Sequence, residues 1–218
     1  MPFALPAGPL RILCLAAHPD DVEIGCGGTL LELTASRMVT VTVVILSGAD
    51  DRIGEAKGAA RAFCNTEDVR NARFPDGQLP GHWGEVKRFL VETALYVQPD
   101  LIFSPRLDDS HQDHRLLAEI VSTVWRDSLV LRYEIPKWDG DLRPCTHYVP
   151  VSESRASKKF ELLDEHYLSQ RGRDWWDRET FLGLMRLRGI ECRSRYAEGF
   201  EVGKAVINVS DRGSIDPR

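Results

Sequence analysis

No apolar run in this 218-residue sequence approaches the roughly 20 residues that span a bilayer, so no transmembrane helix is expected. The stretch Met1 to Leu10 is apolar, but it lacks a basic leader and a long apolar centre, and no signal peptide is read there. Cysteine is sparse. Cys14, Cys26, Cys64, Cys145 and Cys192 are odd in number, scattered and without a CxxC pair, which points to free thiols in a reducing cytoplasm and away from a disulfide framework. Positive charge is not in excess. A net charge of −5 argues against a nucleic-acid surface or a membrane-binding face. Repeats, low-complexity tracts and dividing linkers are also missing, and one domain over 1–218 is expected, with about the last eight residues frayed.

What is present is an alternation of short β-rich runs and helical stretches. Ile12 to Ala17, Val39 to Leu46, Leu101 to Phe103 and Val130 to Ile135 read as buried strands. Gly27 to Arg37, Arg52 to Phe63, Glu85 to Tyr96 and Arg115 to Trp125 read as helices, and Phe74-Pro75-Asp76-Gly77 as a turn. This order predicts an α/β fold with a mostly parallel sheet flanked by helices. Beyond Pro136 the pattern loosens. A strand near Thr146 to Val149, helices over Ser157 to His166 and Asp177 to Gly189, and a late strand around Phe200 and Val202 are expected.

Two polar clusters follow predicted strands directly. His18-Pro19-Asp20-Asp21 follows the first, and His111-Gln112-Asp113-His114 follows the run at Leu101. Ligands of parallel sheets bind at the carboxyl ends of strands. Imidazole and carboxylate there suit a divalent ion: His18, Asp21 and His114 supply two nitrogens and one oxygen, leaving an open position. Zinc fits, and iron or manganese also take such donors. Asp20 is then left beside the ion as a base for water. His111 faces the developing oxyanion or protonates the leaving amine, and Asp113 holds His111 in the required tautomer. These parts describe hydrolysis of an amide. The bland readings are that Asp20 or Asp21 only caps the following helix and that the loop histidines are solvated.

Gly25-Cys26-Gly27-Gly28 is not GxGxxG, and Val39 to Leu46 ends in Ser47-Gly48 with no acidic ribose hook, so these glycines are read as packing residues. His82, His147 and His166 lack partners at useful spacing and are read as structural or surface groups. Trp175-Trp176 is read as packing, with an aromatic face for a sugar as the alternative.

Taken together, His18-Pro19-Asp20-Asp21 and His111-Gln112-Asp113-His114 resemble the two motifs of the PIG-L-type (LmbE-like) deacetylases. Softer likenesses are Arg52-Ile53-Gly54-Glu55, Phe74-Pro75-Asp76-Gly77, Lys158, His166 to Gln170, and Tyr196-Ala197-Glu198-Gly199-Phe200. The resemblance implies a Rossmann-like three-layer sandwich and zinc-dependent removal of an acyl group from an amino sugar, commonly N-acetylglucosamine. It implies His18, Asp21 and His114 as metal ligands, Asp20 as base, and Arg52 and Asp76 as substrate contacts. One departure stands out. Some members carry a tyrosine two residues before the first histidine of the second motif as an oxyanion donor; this chain has Asp109, and Tyr133 is the substitute considered.

The expectation is therefore a cytoplasmic hydrolase with Zn2+, or another divalent metal such as Fe2+, acting on a small N-acetyl sugar conjugate, without nucleic acid or membrane insertion. The rival enzyme is an amidase on a larger acyl or thiol conjugate. The rival outside enzymology is a non-catalytic sugar- or nucleotide-binding domain. A homo-oligomer is left open as a partner.

Overall fold

The run Leu10–Ala16 forms β1 at the centre of a sheet and is buried almost throughout. Its alternate side chains enter two separate cores: Ile12, Cys14 and Ala16 on one face, Leu13 and Leu15 on the other. Both faces are covered by helices, which is why this strand and Val39–Ser47 (β2) are almost uninterrupted apolar sequence. The computed structural model describes residues 5 and 7–206, so the expected fraying of 211–218 lies outside the described residues. The remaining strands are Val69–Phe74 (β3), Leu101–Pro105 (β4), Leu129–Tyr133 (β5), His147–Val151 (β6) and Tyr196–Glu201 (β7). Their order is β3-β2-β1-β4-β5-β7-β6, with β1 to β5 parallel and β5-β7-β6 antiparallel.

The helices are Asp21–Ser36 (α1), Asp50–Cys64 (α2), Trp83–Tyr96 (α3), Gln112–Val124 (α4), Glu153–His166 (α5) and Arg178–Glu191 (α6). Residues of α1, α2 and α5 pack into one core and residues of α3 and α4 into the other, completing three layers of a mixed, mostly parallel α/β fold. Chain order reverses between β1 and β4, so the loops leaving these two strands open a crevice at the carboxyl edge. The first loop carries His18 and the second carries His111.

Two elements depart most from the sequence reading, and α5 begins at Glu153, four residues before the expected Ser157. β3 has no counterpart in it, because VRNARF is polar and only partly buried on the sheet's edge. Helix α1 begins at Asp21, six residues before the expected Gly27, and is broken at Cys26 (φ −142°, ψ 17°). The glycines around the break are there for close approach: a Cβ on Gly25 would overlap the Tyr133 ring, and one on Gly27 would lie 2.7 Å from Phe63 Cε1. The free helix ends at the break are satisfied by a buried pair from the C-terminal part. Glu198 accepts from Gly28 N at 2.8 Å and Thr29 N at 2.7 Å, while Lys159 Nζ donates to Ile24 O at 2.5 Å and Glu198 Oε1 at 2.6 Å. Trp175 and Trp176 pack with Phe181, in keeping with the packing reading. Among the described residues no helix is long and apolar enough to cross a membrane.

Candidate metal and catalytic centre

The turn between β1 and α1 is shaped by Asp21. Its Oδ2 accepts from Ala17 N at 3.0 Å and His18 N at 2.8 Å, folding the start of α1 back onto the strand end. Asp20 occupies the N-cap position with φ 94°, a left-handed conformation that costs a non-glycine residue energy and is concentrated at functional sites. Its side chain makes no capping bond. It accepts instead from Arg52 Nη2 at 2.9 Å, and the same nitrogen donates to Pro19 O at 2.8 Å. The helix-cap reading of Asp20 is therefore overturned. Glu55, one turn further along α2, accepts from Ser169 N and Oγ.

The second cluster opens α4. His111 is its N-cap, and its Nδ1 accepts from Asp113 N at 3.2 Å. A neutral His111 ring then carries its proton at Nε2. The side chain of Asp113 lies elsewhere than expected. It accepts from Gly77 N at 2.8 Å and Leu79 N at 3.1 Å, and Oδ2 lies 3.2 Å from His18 Nε2. Asp113 thus orients His18 and meets His111 through its backbone, because the turn after β3 pulls the carboxylate away. Asp76 adds a second acceptor, Oδ1, 3.1 Å from His18 Nε2, and remains largely exposed.

With two carboxylate acceptors on Nε2, His18 turns Nδ1 inward. His114 is set the same way from the other side. Its Nδ1 donates to Asp109 Oδ2 at 2.9 Å, leaving Nε2 inward. The two inward nitrogens lie 3.2 Å apart. Asp21 Oδ1 is 3.3 Å from His114 Nε2, and Oδ2 is 3.7 Å from His18 Nδ1. Two imidazole nitrogens and a carboxylate converge here, and the donor chemistry fits a divalent metal. His111 also has a ring nitrogen within 4.8 Å of those of His18 and His114.

Electrostatics records the same convergence. Burial opposes charge on both rings, yet Asp113 and Asp76 raise His18 to about 10, and Asp21 and Asp109 raise His114 to about 9. Burial likewise opposes the charge of Asp21, but His114 and His18 hold its carboxyl well below the usual range. Burial pushes Asp20 up to about 7, Asp21 adds to the rise and Arg52 opposes it. Burial lowers His111, assisted by the positive His114 and His18.

Sequence reasoning missed the groups that hold these residues. Asp109, which the sequence marks only as an unsuitable oxyanion donor, is the acceptor that orients His114. It also accepts from His111 N at 2.7 Å and pairs with Lys137 Nζ at 3.0 Å. Lys137 reaches Asp141 at 3.0 Å, and Asp141 accepts from Ser110 N at 2.6 Å. Glu23, fully enclosed and raised by burial to about 8, accepts from Tyr167 Oη at 2.7 Å. The spacing of Asp109 to His114 is the one available signal; the other partners are distant in sequence. Tyr133 is corrected as well: its hydroxyl donates to Leu15 O at 2.7 Å, fully buried in the core, and is not available to a substrate.

Comparison with known proteins finds deacetylases among the chain's relatives. The chain is 28% identical over 121 residues to a diacetylchitobiose deacetylase of Thermococcus kodakarensis, covering 48% of this chain and 45% of that protein, so it spans under half of that relative's length. It is 25% identical over 167 residues to the uncharacterised deacetylase YaiS of Escherichia coli, covering 71% and 89%. A conserved protein from Thermus thermophilus shares the fold with a TM-score of 0.71 at 22% identity, over 92% of this chain and 97% of that one. Residues 13–125, which hold both polar clusters, match the family described as PIG-L, GlcNAc-PI de-N-acetylase, and the chain belongs to that family.

Proposed function

We propose that this chain is a metal-dependent hydrolase that removes the acetyl group from an N-acetylated amino sugar or its glycoconjugate. The observation that carries the reading is a division of labour among neighbouring acids. Asp21 is drawn into the His18–His114 cluster, while Asp20 is buried beside it with its ion pair to Arg52. A site that only binds has no use for the second, strained carboxylate. The relatives named as deacetylases, one of them of diacetylchitobiose, support the substrate class.

His18 Nδ1, Asp21 and His114 Nε2 would hold the ion, and zinc suits them, since ligands of a tetrahedral zinc lie about 3.3 Å apart for bonds of about 2.0–2.1 Å. When bound, the ion supplies Lewis acidity to the amide carbonyl and to water. Asp20 accepts the proton of the attacking water. Arg52 Nη2 and the left-handed turn fix the direction from which it does so. His111, its Nδ1 engaged by Asp113 N, presents Nε2–H to the carbonyl oxygen as negative charge develops there. As the C–N bond breaks, Asp20 returns its proton to the leaving amine, giving acetate and the free amino sugar. Asp113 and Asp109 keep the two histidine rings in register. Asp76, at the rim, and Arg52 are the groups proposed to meet the sugar hydroxyls.

The test is acetate release from a panel of N-acetylated sugars, with metal measured in the same samples. Acetate released in proportion to bound metal is expected; metal-loaded protein inert on the whole panel would overturn the reading.

A further inference from the structure

The His18 ring has polar partners at both of its nitrogens. Nδ1 turns to His114 Nε2 at 3.2 Å and belongs to the centre described above. Nε2, on the other side of the ring, lies 3.1 Å from Asp76 Oδ1 and 3.2 Å from Asp113 Oδ2. These three side chains offer ligand atoms that all lie within 4.8 Å of one another. Neither Asp21 nor His114 belongs to this group. It is a second cluster of metal-type donors that shares one imidazole with the first.

The second cluster holds more negative charge than the orientation of one ring requires. A neutral imidazole carries one N–H, and one carboxylate suffices to fix its tautomer, as Asp109 does for His114 at 2.9 Å. Here two carboxylates face Nε2. Asp113 has no exposed side-chain surface, and its oxygens are fixed by Gly77 N at 2.8 Å and Leu79 N at 3.1 Å. Asp76, the residue before Gly77, has 58% of its side chain exposed, so the group can be reached from solvent. Arg52, whose charge Asp76 also feels, is engaged by Asp20 Oδ2 at 2.9 Å.

We propose that His18 Nε2, Asp76 and Asp113 form a second divalent-cation site, in which the His18 imidazole bridges two ions. This rests on the metal reading above, which places the first ion at Nδ1. The second ion takes the place of the Nε2 proton, which leaves to solvent, and its two charges offset both carboxylates. Spacings of 3.1 and 3.2 Å are close to those of donors around a small tetrahedral ion, about 3.3 Å for bonds of about 2.0–2.1 Å. Imidazole combined with carboxylates suits zinc and its transition-metal neighbours. The second ion is held less tightly than the first, because one of its ligands is open to water and the first ion already draws on the same ring. An ion held there also takes Asp76 from the sugar hydroxyls, so metal supply and substrate compete for one carboxylate.

The test counts zinc bound per chain by equilibrium dialysis and elemental analysis. The parent should hold one equivalent tightly and take up a second as free zinc rises. Asp76→Asn keeps the shape of the open ligand and removes its charge; it should keep the first equivalent and lose the second. Cadmium in place of zinc separates the sites directly. Its NMR spectrum should show two signals in the loaded parent and one in Asp76→Asn. A parent that stops at one equivalent would overturn the second site, and so would an Asp76→Asn variant that still takes up two. KM for an N-acetylated sugar should rise as the second ion loads; a constant KM would overturn the competition for Asp76. Failure of the metal reading itself looks different, since the parent would then not hold the first equivalent.

Discussion

The parallel half of the sheet, β1 to β5, and the antiparallel pair β6–β7 with α5 and α6 use their buried polar residues differently. In the first half they converge on one point. His18, Asp20, Asp21, His111, Asp113 and His114 all lie at the carboxyl ends of β1 and β4. In the second half they reach away from their own elements to hold parts of the first. Lys159 and Glu198 close the break in α1, and Tyr167 holds Glu23. The family match ends at residue 125, within the first half. The lesson is that chemistry and support are separable here: one half places reactive groups, the other keeps α1 and α2 where those groups require them.

The sharpest way to break this division is to remove a group from the convergent half. His18→Ala, Asp21→Ala and His114→Ala should each abolish stoichiometric metal and, with it, turnover, as each takes one of the three proposed ligands. Asp20→Asn should retain metal and fold, and lose roughly 10²–10⁴ in kcat. His111→Ala belongs with Asp20: it should also retain metal. Loss of metal in His111→Ala, measured by elemental analysis, would make His111 a ligand, which its position within 4.8 Å of the other rings allows.

Next in size comes the support half. Glu198→Ala leaves the Lys159 ammonium buried without its partner and two backbone amides without an acceptor. Breaking a buried pair in this way costs roughly 3–5 kcal/mol. Denaturant unfolding should show that loss, whereas the metal-loaded folded fraction should keep most of its kcat. Full stability in Glu198→Ala would mean that α1 needs no staple, and the division between the halves would lose its best example.

Asp109→Asn tests the boundary, because Asp109 sits in the convergent half but acts through His114. An amide can present its oxygen to His114 Nδ1 but loses the charge that Lys137 pairs with. Metal affinity should fall roughly 10–100-fold, the usual scale for a group orienting a metal-binding histidine. Competition with a chelator measures it. Unaltered affinity would return Asp109 to a purely structural part in the loop.

These cases also show what is legible in the sequence. β1, β2 and the two polar clusters can be read because each is a short local pattern: apolar runs buried on both faces, then ligand-type residues at once. β3 cannot, since an edge strand with one poorly buried face has no apolar run to show. The start of α1 is hidden because Gly25 to Gly28 looks like a turn, and the residues that make it helical, Lys159 and Glu198, are more than 130 positions away. The partner of Asp113 is misjudged for a similar reason. Its direction is set by Gly77 N and Leu79 N, in a turn that only the folded chain brings near.

The smallest expected effect comes from Tyr167→Phe. The Tyr167 hydroxyl donates to Glu23 Oε2 at 2.7 Å, and both groups are fully enclosed. Phenylalanine keeps the ring that packs against Trp176 and removes one donor. A buried carboxyl that loses a donor costs roughly 1–3 kcal/mol. Burial already raises Glu23 to about 8, so near neutrality this carboxyl is largely protonated and its proton can find another orientation, which places the cost at the low end of that range. Stability should therefore fall by about 1 kcal/mol, with metal content and kcat close to those of the parent. Glu23 stands two residues from Asp21 in the first turn of α1, so the outcome discriminates. If the support half acts only by holding α1, the penalty is in unfolding free energy alone. A loss of metal or turnover larger than the loss of stability would show that Tyr167 and Glu23 shape the position of Asp21 itself, and the line between the two halves would have to be redrawn through α1.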